Sequence, residues 1–234
     1  MKTIKILGVT VSNTSEKEAL EFIIRSLEKK GKKVKIFTPN PEIIMAAHKD
    51  HDFKKVVNTA HLALPDGIGV VWAAGALGKQ LQTRVTGVDF METLCREAAK
   101  RGFTVGFLGG KPKIAEKAAE CLLQKYPSLK IAFTGSQWKS GKAIDILFVA
   151  FGWSKQERWI DKNLPKIPVK VAMGVGGSFD YISGVVPRAP KFVRSLGLEW
   201  LFRLIRQPWR FRRQLVLPKF FFLVLKEKFF PNGF

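Results

Sequence analysis

The sequence predicts an α/β protein: a mostly parallel sheet with helices on both faces, followed by a basic, aromatic-rich helical appendage. Three observations predict it. Short apolar runs of strand length alternate with helix-length segments over the first 180 residues. Each junction carries a glycine, a proline or a helix-capping residue, so the connections are short. Composition then changes after about Pro187: from there to Phe234 stand eleven basic residues against two acidic ones, and eleven residues are Phe or Trp.

The elements follow in order. Ile4–Val11 reads as a strand. Ser15, with Glu18 three residues on, forms a capping box that opens a helix to about Lys30. Val34–Phe37 is a short strand, and Pro41 suits the first turn of the helix 42-EIIMAAHKDHDFKK. Leu62–Leu64 is the next strand, with helices near Gly69–Leu77 and Asp89–Arg101. Thr104–Leu108 ends in Gly109-Gly110, and Pro112 opens another helix. Leu129–Phe133, Ile144–Phe151 and Val169–Met173 complete the strands. Strand, short loop and helix in alternation give a Rossmann-like sheet covered on both faces. The division expected is a catalytic core over 1–194 and a membrane-docking appendage over 195–234. In that appendage Leu198, Leu201, Phe202 and Ile205 share one helical side, Arg203 and Arg206 lie partly off it, and Pro208 interrupts the helix.

Bulk properties narrow the function. With 234 residues, 46% of them hydrophobic, the chain can bury a sizeable core and is not disordered. A net charge of +21 implies an anionic partner: nucleic acid, acidic lipid headgroups or phosphorylated substrates. Cys95 and Cys121 lack zinc or redox spacing and read as reduced core thiols of a cytosolic protein. The start, MKTIKILGVTVSNTS, lacks a cleavable export signal. No apolar stretch approaches the roughly 20 residues that span a bilayer; the longest, 220-FFFLVL-225, is flanked by Lys219 and by Lys226, Glu227 and Lys228.

Four strand ends could hold a ligand, because loops and helix N-termini converge there in an open α/β sheet. They are 37-FTPNPE-42 with Thr38 and Asn40, 64-LPDGIG-69 with Asp66, 107-FLGGKP-112 with Gly109, and 151-FGWSKQERW-159 with Gln156. The glycine pair at Gly109 and the stretch 174-GVGGSFD-180 offer backbone N–H groups to an anion, but neither is a Walker or GxGxxG sequence, and turn glycines read them equally well. The string 48-HKDHD-52 holds Asp50-x-Asp52, which reads as a solvated helix end. His48, His51 and His61 show no zinc spacing, and no GxSxG is present.

Asp66 stands apart. No basic residue lies within four positions of it, an apolar segment precedes it, and Gly67 and Gly69 let backbone and substrate approach. A partly desolvated carboxylate there suits general-base work. The alternative is that Asp66 caps the helix that follows.

Several motifs in one order carry a resemblance. The stretches 38-TPNPE-42, 65-PDGIGVVWA-73, 84-RVTGVD-89, 107-FLGGKP-112, 149-VAFGWSKQE-157, 174-GVGGSFDYISG-184, 187-PRAP-190 and 197-GLEWLFRL-204 resemble the WecG/TagA/CpsF glycosyltransferases of bacterial surface-polymer synthesis. The resemblance implies an inverting, metal-independent transferase without cofactor. It would move N-acetylmannosamine, or a related hexose, from a UDP-sugar to a polyprenyl-diphosphate-linked N-acetylglucosamine, as in teichoic acid synthesis. It implies that Asp66 is the catalytic base, that Thr38, Asn40, Arg84 and Gln156 line the pocket, and that Arg203, Arg210 and Arg213 complete the site. Gly109 joins these as a backbone contact. The implied partners are the UDP-sugar, the lipid-linked acceptor and an anionic membrane surface at its cytoplasmic face; homo-oligomerisation stays open. Two departures stand out. The connection 134-TGSQWKSGKA-143 is short where a longer helical insert is expected, and 152-GWSKQE-157 lacks the family's proline.

Two other classes compete. A nucleic-acid binder would fit the charge and interleaved aromatics, but Phe220, Phe221 and Phe222 would then face water. A bilayer interface would bury them. A catalytically idle α/β scaffold gives no reason for Asp66, Gln156 and the tail arginines to coexist.

Overall fold

The computed structural model describes residues 2–29 and 31–230. Its centre is a six-stranded, all-parallel sheet in the order β4-β3-β8-β7-β5-β6. The strands are β3 (Val34–Phe37), β4 (Leu62–Ala63), β5 (Thr104–Gly109), β6 (Lys130–Gly135), β7 (Ile144–Ala150) and β8 (Val169–Gly174). Alternate side chains of these strands enter different cores, as the two-residue period of a strand dictates. Ile146 and Phe148 of β7 meet α1 (Glu16–Glu28), α5 (Gly87–Arg101), α6 (Ile114–Lys125) and α8 (Ser178–Ile182). Leu147 and Val149 meet α7 (Lys155–Asn163) on the other face.

The first predicted strand is corrected. Ile4–Val11 is not continuous: β1 (Lys2–Ile6) and β2 (Val9–Asn13) form an antiparallel hairpin outside the main sheet. The turn is Leu7-Gly8, with φ of 50° and 80°, both in the left-handed region. The capping box of α1 forms as expected, with Ser15 and Glu18 satisfying each other's backbone N–H groups, and the helix runs to Glu28; its expected end, Lys30, lies outside the described residues. The long helix after Pro41 is also corrected. It splits into α2 (Pro41–Lys49) and α3 (His51–Asn58) because the Asp50 side chain caps α3 by accepting from the Phe53 N–H at 2.9 Å. Asp50 also pairs with Arg158 at 2.7 Å, whereas Asp52 pairs with Lys55. The two carboxylates of that string have separate partners.

The short connection after β6 is covered by one side chain. Trp138 packs on Phe133 and Trp159 at ring separations of 5.3 and 6.2 Å, closing the α7 face where a longer insert was expected. In the loop after β7, Ser154 has φ of 71°. Proline is fixed near −65°, so this loop shape excludes the family's proline at that position.

The C-terminal segment comprises α9 (Lys191–Ser195), α10 (Glu199–Arg206), a 3₁₀ turn at Pro208–Arg210, α11 (Phe211–Gln214) and α12 (Val216–Phe229). One expectation about it is corrected. Phe220 does not await a bilayer: it is fully buried with Val224 in a cluster with the hairpin, α2, α3 and α4 (Ile68–Ala76). The Glu227 carboxylate also accepts from the Leu7 N–H at 2.9 Å. Phe222, Trp209, Ile205 and Phe192 remain exposed. No described helix is long and apolar enough to cross a membrane.

Candidate active site

The strand order creates a crevice. β3 and β8 are neighbours, yet the chain leaves them towards opposite faces. The segment after β3 leads to α3, beside α7, and the segment after β8 forms α8, beside α5 and α6. Loops therefore diverge at the carboxyl ends of these two strands, the place where open α/β sheets bind ligands.

Backbone pairing draws the loops together. Leu64 N–H donates to Phe37 O at 2.9 Å, Asp66 N–H to Pro39 O at 3.0 Å, and Val85 N–H to Pro65 O at 3.1 Å. Thr38, Asn40, Asp66 and Arg84 thus share one rim. Thr38 is buried against the backbone of Gly87. Asn40 caps α2, its Oδ1 accepting from the Ile43 N–H at 3.0 Å.

The alternative for Asp66 is excluded, since α4 starts after Gly67 and has no side-chain cap. Among the described residues the Asp66 carboxyl makes no hydrogen bond. It is half-buried: solvent reaches the residue while protein crowds the carboxyl. Burial raises its pKa to about 7, Glu199 and Asp89 add to the rise, and Arg84 and Arg188 oppose it.

Gln156 sits behind the crevice wall. It is 2% exposed, and its Oε1 accepts from the Gly176 N–H at 2.9 Å. Its Nε2 donates to Glu157 Oε1, also at 2.9 Å. Glu157 is fully buried, its Oε2 has no hydrogen-bond partner among the described residues, and burial pushes its pKa up. The pair holds the loop after β8 in shape. Gly109 ends β5 with φ of 101°, and an added β-carbon would lie 2.8 Å from Phe151 and 2.9 Å from Ala150 O. The turn alone explains that glycine.

The tail arginines divide by exposure. Arg206 and Arg212 are exposed, whereas Arg203, Arg210 and Arg213 turn inwards. Arg203 lies on the Gly177 backbone, so that a β-carbon there would come within 2.7 Å of its guanidinium. It pairs with Asp180 at 3.1 Å and stacks over Tyr181 at 4.6 Å. Arg213 reaches back to Glu42 in the first turn of α2, its Nε donating at 3.0 Å. Arg210 has no carboxylate partner among the described residues. Its pKa is lowered to about 10, by burial first and then by the charges of Arg203 and Arg213. Asp66 and Arg213 hold the same loop: Asp66 bonds Pro39, and Arg213 binds Glu42.

Sequence reasoning passed over a second group. Arg188 binds both Asp89 and Glu199, and Arg194 approaches Asp89 at 3.5 Å. The motifs containing these residues were visible, but the pairing spans 99 positions between Asp89 and Arg188, and no local spacing announces it.

Comparison with known proteins agrees with this geometry. The chain matches the glycosyl transferase WecG/TagA/CpsF family over residues 4–233. It is 37% identical, over 82% of this chain and 79% of the relative, to the N-acetylglucosaminyldiphosphoundecaprenol N-acetyl-beta-D-mannosaminyltransferase of Bacillus subtilis (strain 168). It is 30% identical, over 96% of this chain and 93% of the relative, to the enzyme of the same name in Staphylococcus aureus (strain MRSA252). The chain belongs to the glycosyl transferase WecG/TagA/CpsF family and is a glycosyltransferase.

Proposed function

We propose that the protein transfers N-acetylmannosamine, or a related hexose, from a UDP-sugar to N-acetylglucosamine carried on a polyprenyl diphosphate, with inversion and without a metal. The observation that carries this reading is the carboxyl of Asp66, which makes no hydrogen bond among the described residues and is only half-buried; its backbone bonds the loop to which Arg213 also reaches, and Arg203 and Arg210 lie beside Arg213. The printed names of the relatives supply the acceptor and the sugar.

The chemistry follows from those groups. Asp66, deprotonated, accepts the proton of the acceptor hydroxyl. That oxygen attacks the anomeric carbon as the bond to the UDP oxygen breaks, and UDP leaves with the bonding electrons. One displacement needs one base and no enzyme nucleophile. A base whose pKa is about 7 is both strong enough and substantially ionised at neutral pH. Charge growing on the diphosphate is met by Arg203, Arg210 and Arg213, whose planar guanidinium groups suit phosphate oxygens. Thr38, Asn40 and Arg84 line the sugar side, and Gln156 with Gly109 shapes the loops around it.

The exposed aromatic and aliphatic side chains of the C-terminal segment, among them Ile205, Trp209 and Phe222, enter the interface of the cytoplasmic membrane leaflet. Basic residues beside them add about 1 kcal/mol each near anionic headgroups. The same segment delivers the arginines to the site, so membrane binding and catalysis share one element.

The test is a transfer assay with a lipid-diphosphate-N-acetylglucosamine acceptor and a panel of UDP-sugars, run with and without excess EDTA. UDP-N-acetylmannosamine or a close relative should release UDP at an undiminished rate in the chelator. Loss of activity rescued by magnesium or manganese would overturn the metal-free mechanism, and release from no UDP-sugar would overturn the reading itself.

A further inference from the structure

Arg188 is gripped from two sides. Its Nη1 and Nη2 donate to the two carboxylate oxygens of Asp89 at 2.6 and 3.3 Å. Its Nε and Nη2 donate to the two oxygens of Glu199 at 3.0 and 3.2 Å. Arg188 and Glu199 are each only 21% exposed at the side chain. The three partners come from separate stretches: Asp89 from the first turn of α5, Arg188 from the loop before α9, and Glu199 from the first residue of α10.

The same segment rests on the loop that carries Asp66. Arg84 Nη2 donates to the carbonyl of Arg194 at 2.7 Å. Gly197 packs so closely that an added β-carbon would lie 2.9 Å from Arg84 and 3.0 Å from Ile68. Arg84 is joined to the Asp66 loop through the adjacent Val85–Pro65 bond, and Ile68 follows Asp66 by two residues. The root of the tail therefore touches both flanks of Asp66.

We infer that Glu199 and Arg188 are positioning residues for Asp66: with Asp89 they form an ionic clamp that fastens the root of the C-terminal segment to the start of α5, and so holds that root, through Arg84 and Gly197, against the loop carrying the base. This inference rests on the reading of Asp66 as the base. Arg194 also lies 3.5 Å from Asp89, so two carboxylates face two guanidinium groups and the charges nearly balance; removing one of them changes the field at a neighbouring carboxyl. Four charged groups act on Asp66 by their charge: Glu199 from α10, Asp89 from α5, Arg84 from the loop before α5 and Arg188 from the loop before α9. After burial, Glu199 is the largest influence and favours the protonated form; Arg188 acts in the opposite sense. The grip of Asp89 holds Arg188 to α5, and the grip of Glu199 holds α10 to Arg188.

The experiment is the pH profile of kcat/KM, which reports the base of the free enzyme, for Glu199→Gln, Arg188→Gln and Asp66→Asn in the full chain. Glu199→Gln removes a negative neighbour and keeps the cation, so the acidic limb should move to lower pH by about one unit, the size of effect one close charge exerts. Arg188→Gln removes the cation, so the limb should move to higher pH. Opposite shifts from two changes at one salt bridge are not what a merely structural role gives; acidic limbs that stay in place in both variants would overturn the clamp. If Arg188→Gln does not fold, Arg188→Lys replaces it: the charge stays and the two-sided grip goes. The limb should then hold while kcat falls, and an unchanged kcat would overturn the clamp. Asp66→Asn separates the two failures. A dead Asp66→Asn with unmoved limbs sinks only the clamp, and an active one sinks the base itself.

Discussion

Asp66→Asn should lower turnover by about 10²- to 10⁴-fold, the usual worth of general-base catalysis, while the affinity for the UDP-sugar stays close to that of the parent. The amide keeps the shape of the side chain and cannot take a proton. Nothing structural depends on the carboxyl, since it makes no hydrogen bond among the described residues and Gly67 heads the following helix. The substitution even removes the cost of ionising a crowded acid, so the folded state should not suffer. Steady-state turnover and calorimetric binding of the donor separate the two effects. The parent should also gain activity as pH rises through about 7, because the raised pKa keeps Asp66 protonated below that value. A variant that turns over at the parent rate removes Asp66 from the chemistry.

Arg210→Ala should cost about 10²- to 10³-fold in turnover, the effect of deleting one donor aimed at developing negative charge, without lowering the melting temperature. The two halves of that statement come from one fact. Arg210 is half-buried, has no carboxylate partner among the described residues, and sits beside Arg203 and Arg213, which reduce its hold on its proton. A cation kept in such surroundings destabilises the fold, so its removal is neutral or favourable to stability. A residue retained against the interest of the fold is one that a ligand needs. Arg212→Ala is the control: next to Arg213 in the chain but exposed rather than turned inwards, it should leave the rate largely intact. Thermal unfolding and transfer rates on both variants decide the matter, and an Arg210→Ala enzyme that is unstable yet fully active contradicts the assignment.

The sheet was legible because its signals are local. Each strand is a short apolar run, each connection carries a glycine or a cap, and the helices between most successive strands force a parallel arrangement; β6 and β7, joined without a helix, are the exception and lie on either side of β5. The errors arose where a local signal was ambiguous. Leucine seldom takes the left-handed conformation that Leu7 adopts, so only Gly8 hinted at the hairpin turn. Asp50 sits inside an uninterrupted helical pattern, and its capping role shows only in three dimensions. An apolar helical face reads alike whether it meets lipid or protein. Phe220 faces the core and Phe222 faces out, two residues apart on one helix.

The site divides in the same way. Asp66 was legible because a lone acid at a strand end has no neutralising neighbour. Arg203, Arg210 and Arg213 could be named, and the structure adds that they point inwards while Arg206 and Arg212 do not. The Asp89–Arg188–Glu199 clamp was not legible. Each of its charges looks like ordinary surface charge, and only the folding of α10 onto the crevice brings them together.

The central claim is a single displacement driven by Asp66, and the configuration of the product tests it most directly. The enzyme should be given an α-configured UDP-N-acetylmannosamine and a lipid-diphosphate-N-acetylglucosamine acceptor, and the new linkage read by NMR. One displacement inverts the anomeric carbon and yields a β-linked disaccharide. An α-linked product would require two displacements and an enzyme nucleophile, and would contradict the account.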